Sequence, residues 1–143
     1  MSAELKGYRE LSKQLQALGA AVGGKTLRSA TLLATTPVMR EARRRIPVGV
    51  DAHKTYKGRV VAPGFAKRSI ARKAFLSRDK STAYCIVGVK PEAYYALQFV
   101  EMGTSKQSAQ PWLEPAFRAT QDEQIERLGA NLRKKILAAV KKQ

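Results

Sequence analysis

Histidine, cysteine and tryptophan each occur once in 143 residues, and the 11 acidic residues are outnumbered by 27 lysines and arginines. The single histidine, His53, excludes metal cages and catalytic dyads built from paired imidazoles. It sits in a polar stretch with no Ser or Cys nucleophile at a recognisable spacing. The single cysteine, Cys85, excludes an intrachain disulfide, and its neighbours Tyr84, Ile86 and Val87 suit a buried, inert thiol. No apolar run approaches the roughly 18 residues of a membrane span, and residues 1–6 lack the apolar stretch of a signal peptide. The expectations are synthesis in a reducing cytoplasm, no membrane contact, no cofactor and no enzyme activity.

What is abundant is positive charge: a formal +16 and a pI near 10.4. Between Arg40 and Lys80 there are 13 basic residues against Glu41, Asp51 and Asp79, which leaves +10 of the total in that segment. Arg43, Arg44 and Arg45 cover most of one helical turn, so they cannot all be buried. Lys54, Lys57, Arg59, Lys67 and Arg68 follow. Such a field does not specify a fold, but it selects for phosphates or acidic protein surfaces as partners. A second basic cluster, Arg133 to Lys142, favours the end of a last helix through the helix dipole. Only Tyr56, Phe65 and Phe75 are interleaved with the first cluster, which gives little support for base stacking.

The apolar spacing predicts an α+β fold in one domain, 1–143. Leu5, Tyr8, Leu11, Leu15 and Leu18 form one helical stripe over about 5–19. A second helix is predicted over about 25–46, with Leu27, Ala30, Leu33, Val38, Ala42 and Ile46 inward and Pro37 kinking or splitting it. Residues 47–64, rich in Pro and Gly, read as a long basic loop with a short extended stretch at 59–61. After a helical turn near 65–70, runs 72–77 and 82–90 alternate as an antiparallel hairpin, with Cys85, Val87 and Val89 on one face. A short helix from Pro91 and a long C-terminal helix over 115–141 complete the chain, the latter with Ile125, Leu128, Leu132, Ile136 and Val140 on its buried side. The fold is thus two N-terminal helices, a small antiparallel sheet, a short helix and a long last helix.

Two chemical patterns are set aside. Gly19 to Thr26 matches the phosphate-loop pattern G-x-x-x-x-G-K-[ST], but an amphipathic stretch precedes it where the mechanism needs a buried strand, so a helix–helix turn is expected. Glu92, Glu101 and Glu114 flank the short helix and are read as caps or ion-pair partners rather than an acid–base pair.

Residues 94–105, YYALQFVEMGTS, followed by 110–117, QPWLEPAF, resemble the signature of a bacteriophage tail-component family similar to the tail-completion protein of phage lambda. In that family a tyrosine–alanine helix runs into a Val-Glu-aromatic-Gly-Thr turn and a Gln-Pro-aromatic-Leu-x-Pro-Ala segment. Met102 stands where the aromatic is usual, and the 47–64 loop is longer than in many members. The resemblance implies a structural virion protein at the head–tail junction (neck), assembled in the host cytoplasm. It also implies a six-fold ring beside tail terminator, tail tube and head–tail connector proteins, with genome DNA in the lumen. Tyr95, Glu101, Gly103, Thr104, Pro111, Trp112 and Pro115 would then serve the structure or the subunit interface. Phe117 is expected in the core, and Trp112 suits core or interface. The alternative is a non-specific basic DNA-binding protein.

Overall fold

The computed structural model describes residues 23–141, with Lys13, Gln16 and Gly19 besides. Of the helix expected over 5–19, Lys13, Gln16 and Gly19 are helical and exposed; its apolar stripe, Leu5 to Leu18, lies outside the described residues. The fold is α+β, as the periodicity predicts. Helices α1 (Lys25–Ala34) and α2 (Thr36–Arg45) precede a two-residue pair, β1 (His53–Lys54) and β2 (Val60–Val61). Then come α3 (Phe65–Arg68), the hairpin β3 (Ile70–Leu76) and β4 (Ala83–Val89), and helices α4 (Pro91–Met102), α5 (Leu113–Ala119) and α6 (Gln121–Lys141).

Pro37 splits the second helix as expected, and the neighbouring side chains close the gap. Proline has no N–H for the Leu33 carbonyl, so the Thr36 hydroxyl donates to it instead at 2.9 Å. The Leu32 carbonyl accepts from the Thr35 hydroxyl at 2.8 Å and from Arg72 Nη1 at 2.7 Å; that same nitrogen lies 2.6 Å from Thr36 Oγ1. Arg72 reaches across from β3, so one member of the basic segment is committed to satisfying the helix break.

The hairpin is antiparallel, from Ile70↔Val89 to Leu76↔Ala83. Its strands begin and end within two residues of the predicted limits. Cys85 and Val87 turn inward and Tyr84 and Ile86 outward, as the alternation requires. Thr35 and Cys85 make an O···S contact of 3.4 Å, which places the half-buried thiol against the helix break. The inner face, with Ile70 and Ala74 buried, packs on α1 and α2. The 47–64 segment is not wholly irregular: His53 pairs with Val61 and Lys54 with Val60, so there are two small sheets rather than one.

The last helix departs most from expectation. It begins at Leu113 and breaks at Thr120, whose buried hydroxyl donates back to the Ala116 carbonyl at 2.8 Å. Leu128, Leu132 and Ile136 are half-buried against α1, but Ile125 and Val140 are exposed. Asn131 and Lys135 turn inward between them, and Lys135 Nζ reaches Ser29 Oγ at 3.3 Å. Leu33 is likewise exposed, whereas Ala30, Val38, Ala42 and Ile46 are buried.

The central cluster is Ala42, Ile46, Ile70, Ala93, Leu97, Trp112 and Ala116. Among the described residues, half of the 12 buried hydrophobic ones are alanines, so helices and hairpin approach closely but enclose little apolar volume. Burying Ile46, Ile70 or Leu97 stabilises by roughly 1.5–3 kcal/mol each, against far less for an alanine. Trp112, 3% exposed, is the one buried aromatic among the described residues of this core.

Candidate functional site

The motif 94–117 forms a single structural unit. Glu101, near the C-terminus of α4, accepts the backbone N–H groups of Trp112 (2.6 Å), Leu113 (3.1 Å) and Glu114 (3.2 Å). Those are the orphan donors at the start of α5, whose own N-cap residue, Trp112, has no side-chain acceptor. A carboxylate from one helix therefore caps the next, with the favourable sign for a helix N-terminus. Gly103 ends α4 at φ 75°, and a Cβ there would lie 2.7 Å from the Ala109 nitrogen. Thr104 then pairs with Gln107 in a tight turn, and the Gln110 N–H returns to the Val100 carbonyl at 2.8 Å. Pro111 is exposed before Trp112 enters the core, and Pro115 lies in the first turn of α5. Trp112 Nε1 is buried without a hydrogen-bond partner.

Tyr95 points outward, 63% exposed, in an aromatic ladder. Its ring stands edge-on to Phe99 at 5.3 Å and faces Tyr56 of the β1–β2 turn at 6.5 Å. Lys57 lies over Tyr56 at 5.7 Å, and Met102 continues the ladder at 72% exposed. The tyrosines of α4 are legible in the sequence but their junction with Tyr56 is not, because 39 positions separate Tyr56 from Tyr95. A second outer aromatic pair, Phe75 stacked on Tyr84 at 5.3 Å, marks the free face of the hairpin. Phe117, expected in the core, is 50% exposed; it belongs to the rim of a cleft of about 360 Å³ with Val38, Cys85 and Val87.

The basic residues divide into two groups. Arg44 and Arg45 both donate to Glu41, at 3.0 and 2.8 Å through their Nε atoms, while Arg43 is half-buried with its Nε unpartnered. The hydrogen bond from Arg44, and then that from Arg45, holds the Glu41 carboxyl down at about 2. Lys54, Lys57, Arg59, Lys67 and Arg68 are all exposed around β1, β2 and α3. Arg59 pairs with Glu92 at 3.2 Å and lies over the Phe65 ring at 5.4 Å. Arg68 donates to the Pro63 and Ala62 carbonyls. Glu92 and Glu114 are indeed ion-pair partners, of Arg59 and Arg118. The Gly23–Gly24 turn opens α1, with Gly24 at φ 65° and Lys25 exposed. Among the described residues no His/Cys/Asp/Glu group has metal-binding geometry, and no helix is long and apolar enough to cross a membrane.

No protein-family model, curated protein or solved structure matches the chain.

Proposed function

We propose that the chain is a structural protein of the head–tail junction of a long-tailed bacteriophage, completing the tail or joining it to the head. The observation that carries this reading is where the apolar side chains lie. Among the described residues alanines fill half of the buried hydrophobic positions, while Tyr56, Tyr94, Tyr95, Phe99, Met102, Tyr84 and Ile86 are exposed. Exposed apolar clusters of this kind, Tyr56–Tyr95–Phe99 at α4 and Phe75–Tyr84 on the hairpin, mark protein contacts. The residues of the family-like motif support the same reading: Glu101, Gly103 and Trp112 are spent on joining two helices. A ring of identical subunits needs two different faces that fit each other. The α4 ladder and the outer face of the hairpin are two exposed apolar faces available for such contacts.

The basic surface favours a second reading, non-specific DNA binding. Glu41, Glu92, Glu114 and Glu123 are paired within the chain, so much of the positive excess is left for an outside anion. Electron microscopy of a phage lysate in which this gene carries a stop codon separates the two. Filled heads beside detached or malformed tails are expected on the junction reading. Normal infectious particles would overturn it and leave the DNA-binding reading.

A further inference from the structure

A cleft of about 590 Å³ lies between the β2 strand, α3 and the start of α4, lined by Arg59, Phe65, Arg68, Ser69, Lys90 and Glu92 among others. We propose that this cleft is a binding site for phosphate groups, with Arg59, Arg68 and Lys90 as its cations. The site does not depend on the assembly reading and stands or falls without it.

Three features of the geometry argue for it. The first is anchoring by neutral groups. Arg68 is fixed by the Pro63 carbonyl at 3.0 Å and the Ala62 carbonyl at 3.4 Å, so its position is set while its charge stays uncompensated. Lys90 is held through its backbone, whose N–H donates to the Ser69 carbonyl at 2.9 Å, and its exposed side chain lines the cleft. The second is the small opposing charge. Among the described residues Glu92 is the one carboxylate in the lining, and both its oxygens are occupied, by the Thr55 hydroxyl at 2.8 Å and by Arg59 at 3.2 Å. Three cations against one anion leave the cleft at +2, which suits phosphate better than a single carboxylate. The third is what the walls do not offer. The β2 strand is only two residues long, so no strand ladder is available to hold a peptide backbone. Forked guanidinium donors match phosphate oxygens directly. Lys90 is separated in sequence from the 40–80 basic segment and enters the site only through the turn from β4 into α4.

Phosphate can come from a polynucleotide backbone or from a small phosphorylated molecule, and the experiment has an arm for each. Fluorescence anisotropy with a labelled DNA duplex, and calorimetric titration with pyrophosphate, would be run on the wild-type chain, Lys90→Gln, Arg68→Gln/Lys90→Gln and a reference, Arg133→Gln/Lys134→Gln. The reference removes the same charge from exposed positions of α6. If the backbone is the source, each cleft cation lost should weaken duplex binding on the order of tenfold at about 0.1 M salt and reduce the salt slope by about one. The reference should lose far less. If the source is a small molecule, pyrophosphate binding should fall in the cleft variants while duplex binding falls equally in all. Lys90→Gln removes no hydrogen bond to the fold, so it reports on the site even if Arg68→Gln disturbs the loop. Equal losses in cleft and reference variants for both ligands would overturn the proposal, as would binding of polyglutamate with no binding of either phosphate.

Discussion

Gly103 adopts φ 75° and ψ 172°, a backbone region open to glycine and almost closed to other residues. Gly103→Ala would add steric conflict with Ala109 to that strain, and should lower the unfolding free energy by at least about 2 kcal/mol in urea denaturation. A loss within measurement error would mean that the turn relaxes. Glu41 illustrates a second residue-scale effect. Its folded carboxyl is lowered to about 2, so the ion pairs with Arg44 and Arg45 contribute stability that is complete above the ordinary carboxyl range. That contribution disappears as pH falls from there through about 2. A carboxyl NMR titration should place the Glu41 midpoint well below the ordinary carboxylate range, and Glu41→Gln should flatten this part of the acid transition. Of the carboxylates, Glu101 was legible in the sequence as a cap, but the helix it caps, α5, whose first donor lies 11 residues further on, was not.

At the scale of elements, the breaks in the helices separate what a sequence pattern can carry from what it cannot. Pro37 announces its break because the missing N–H is a covalent fact. Thr120 announces nothing: residues 116–128 contain neither glycine nor proline, and the break follows from a hydroxyl that turns back onto Ala116. The inward side of α6 misled for a related reason. Long polar side chains bury their stems while keeping their heads wet, so Lys135 occupies a position that an apolar stripe assigns to its neighbours. The hairpin was legible because alternation has a period of two and both faces are distinct. Arg72 shows the interplay of elements, since a strand residue completes a helix junction. Arg72→Met should destabilise by about 1–2 kcal/mol, with faster amide exchange concentrated at 32–38 and little change at the 77–82 turn. Uniform acceleration across the hairpin would assign Arg72 to strand packing instead.

For the whole molecule, the distribution of apolar area bears on how the chain behaves alone and in company. On the junction reading, Tyr95→Ser/Met102→Ser should leave the monomer's stability within about 0.5 kcal/mol, as expected for exposed positions. It should nevertheless abolish higher oligomers in mass photometry. Retained oligomers would remove the α4 ladder from the interface. The α+β class and the basic character could be read from the sequence because both are sums over many residues. The ladder and the cationic cleft could not, since each joins the 53–68 region to residues near 90–102 through tertiary packing.

The carboxylate of Glu101 reaches α5 across space, so the correct seating of that helix does not rest on the eight residues of chain between Gly103 and Trp112 alone. Ser105 and Lys106, at the tip of the turn closed by Thr104 and Gln107, are exposed and lie on the solvent side of that closure. This makes the 105–106 bond a natural insertion point, where an epitope tag or fluorophore acceptor peptide would hang outside the fold while both helices keep their anchors.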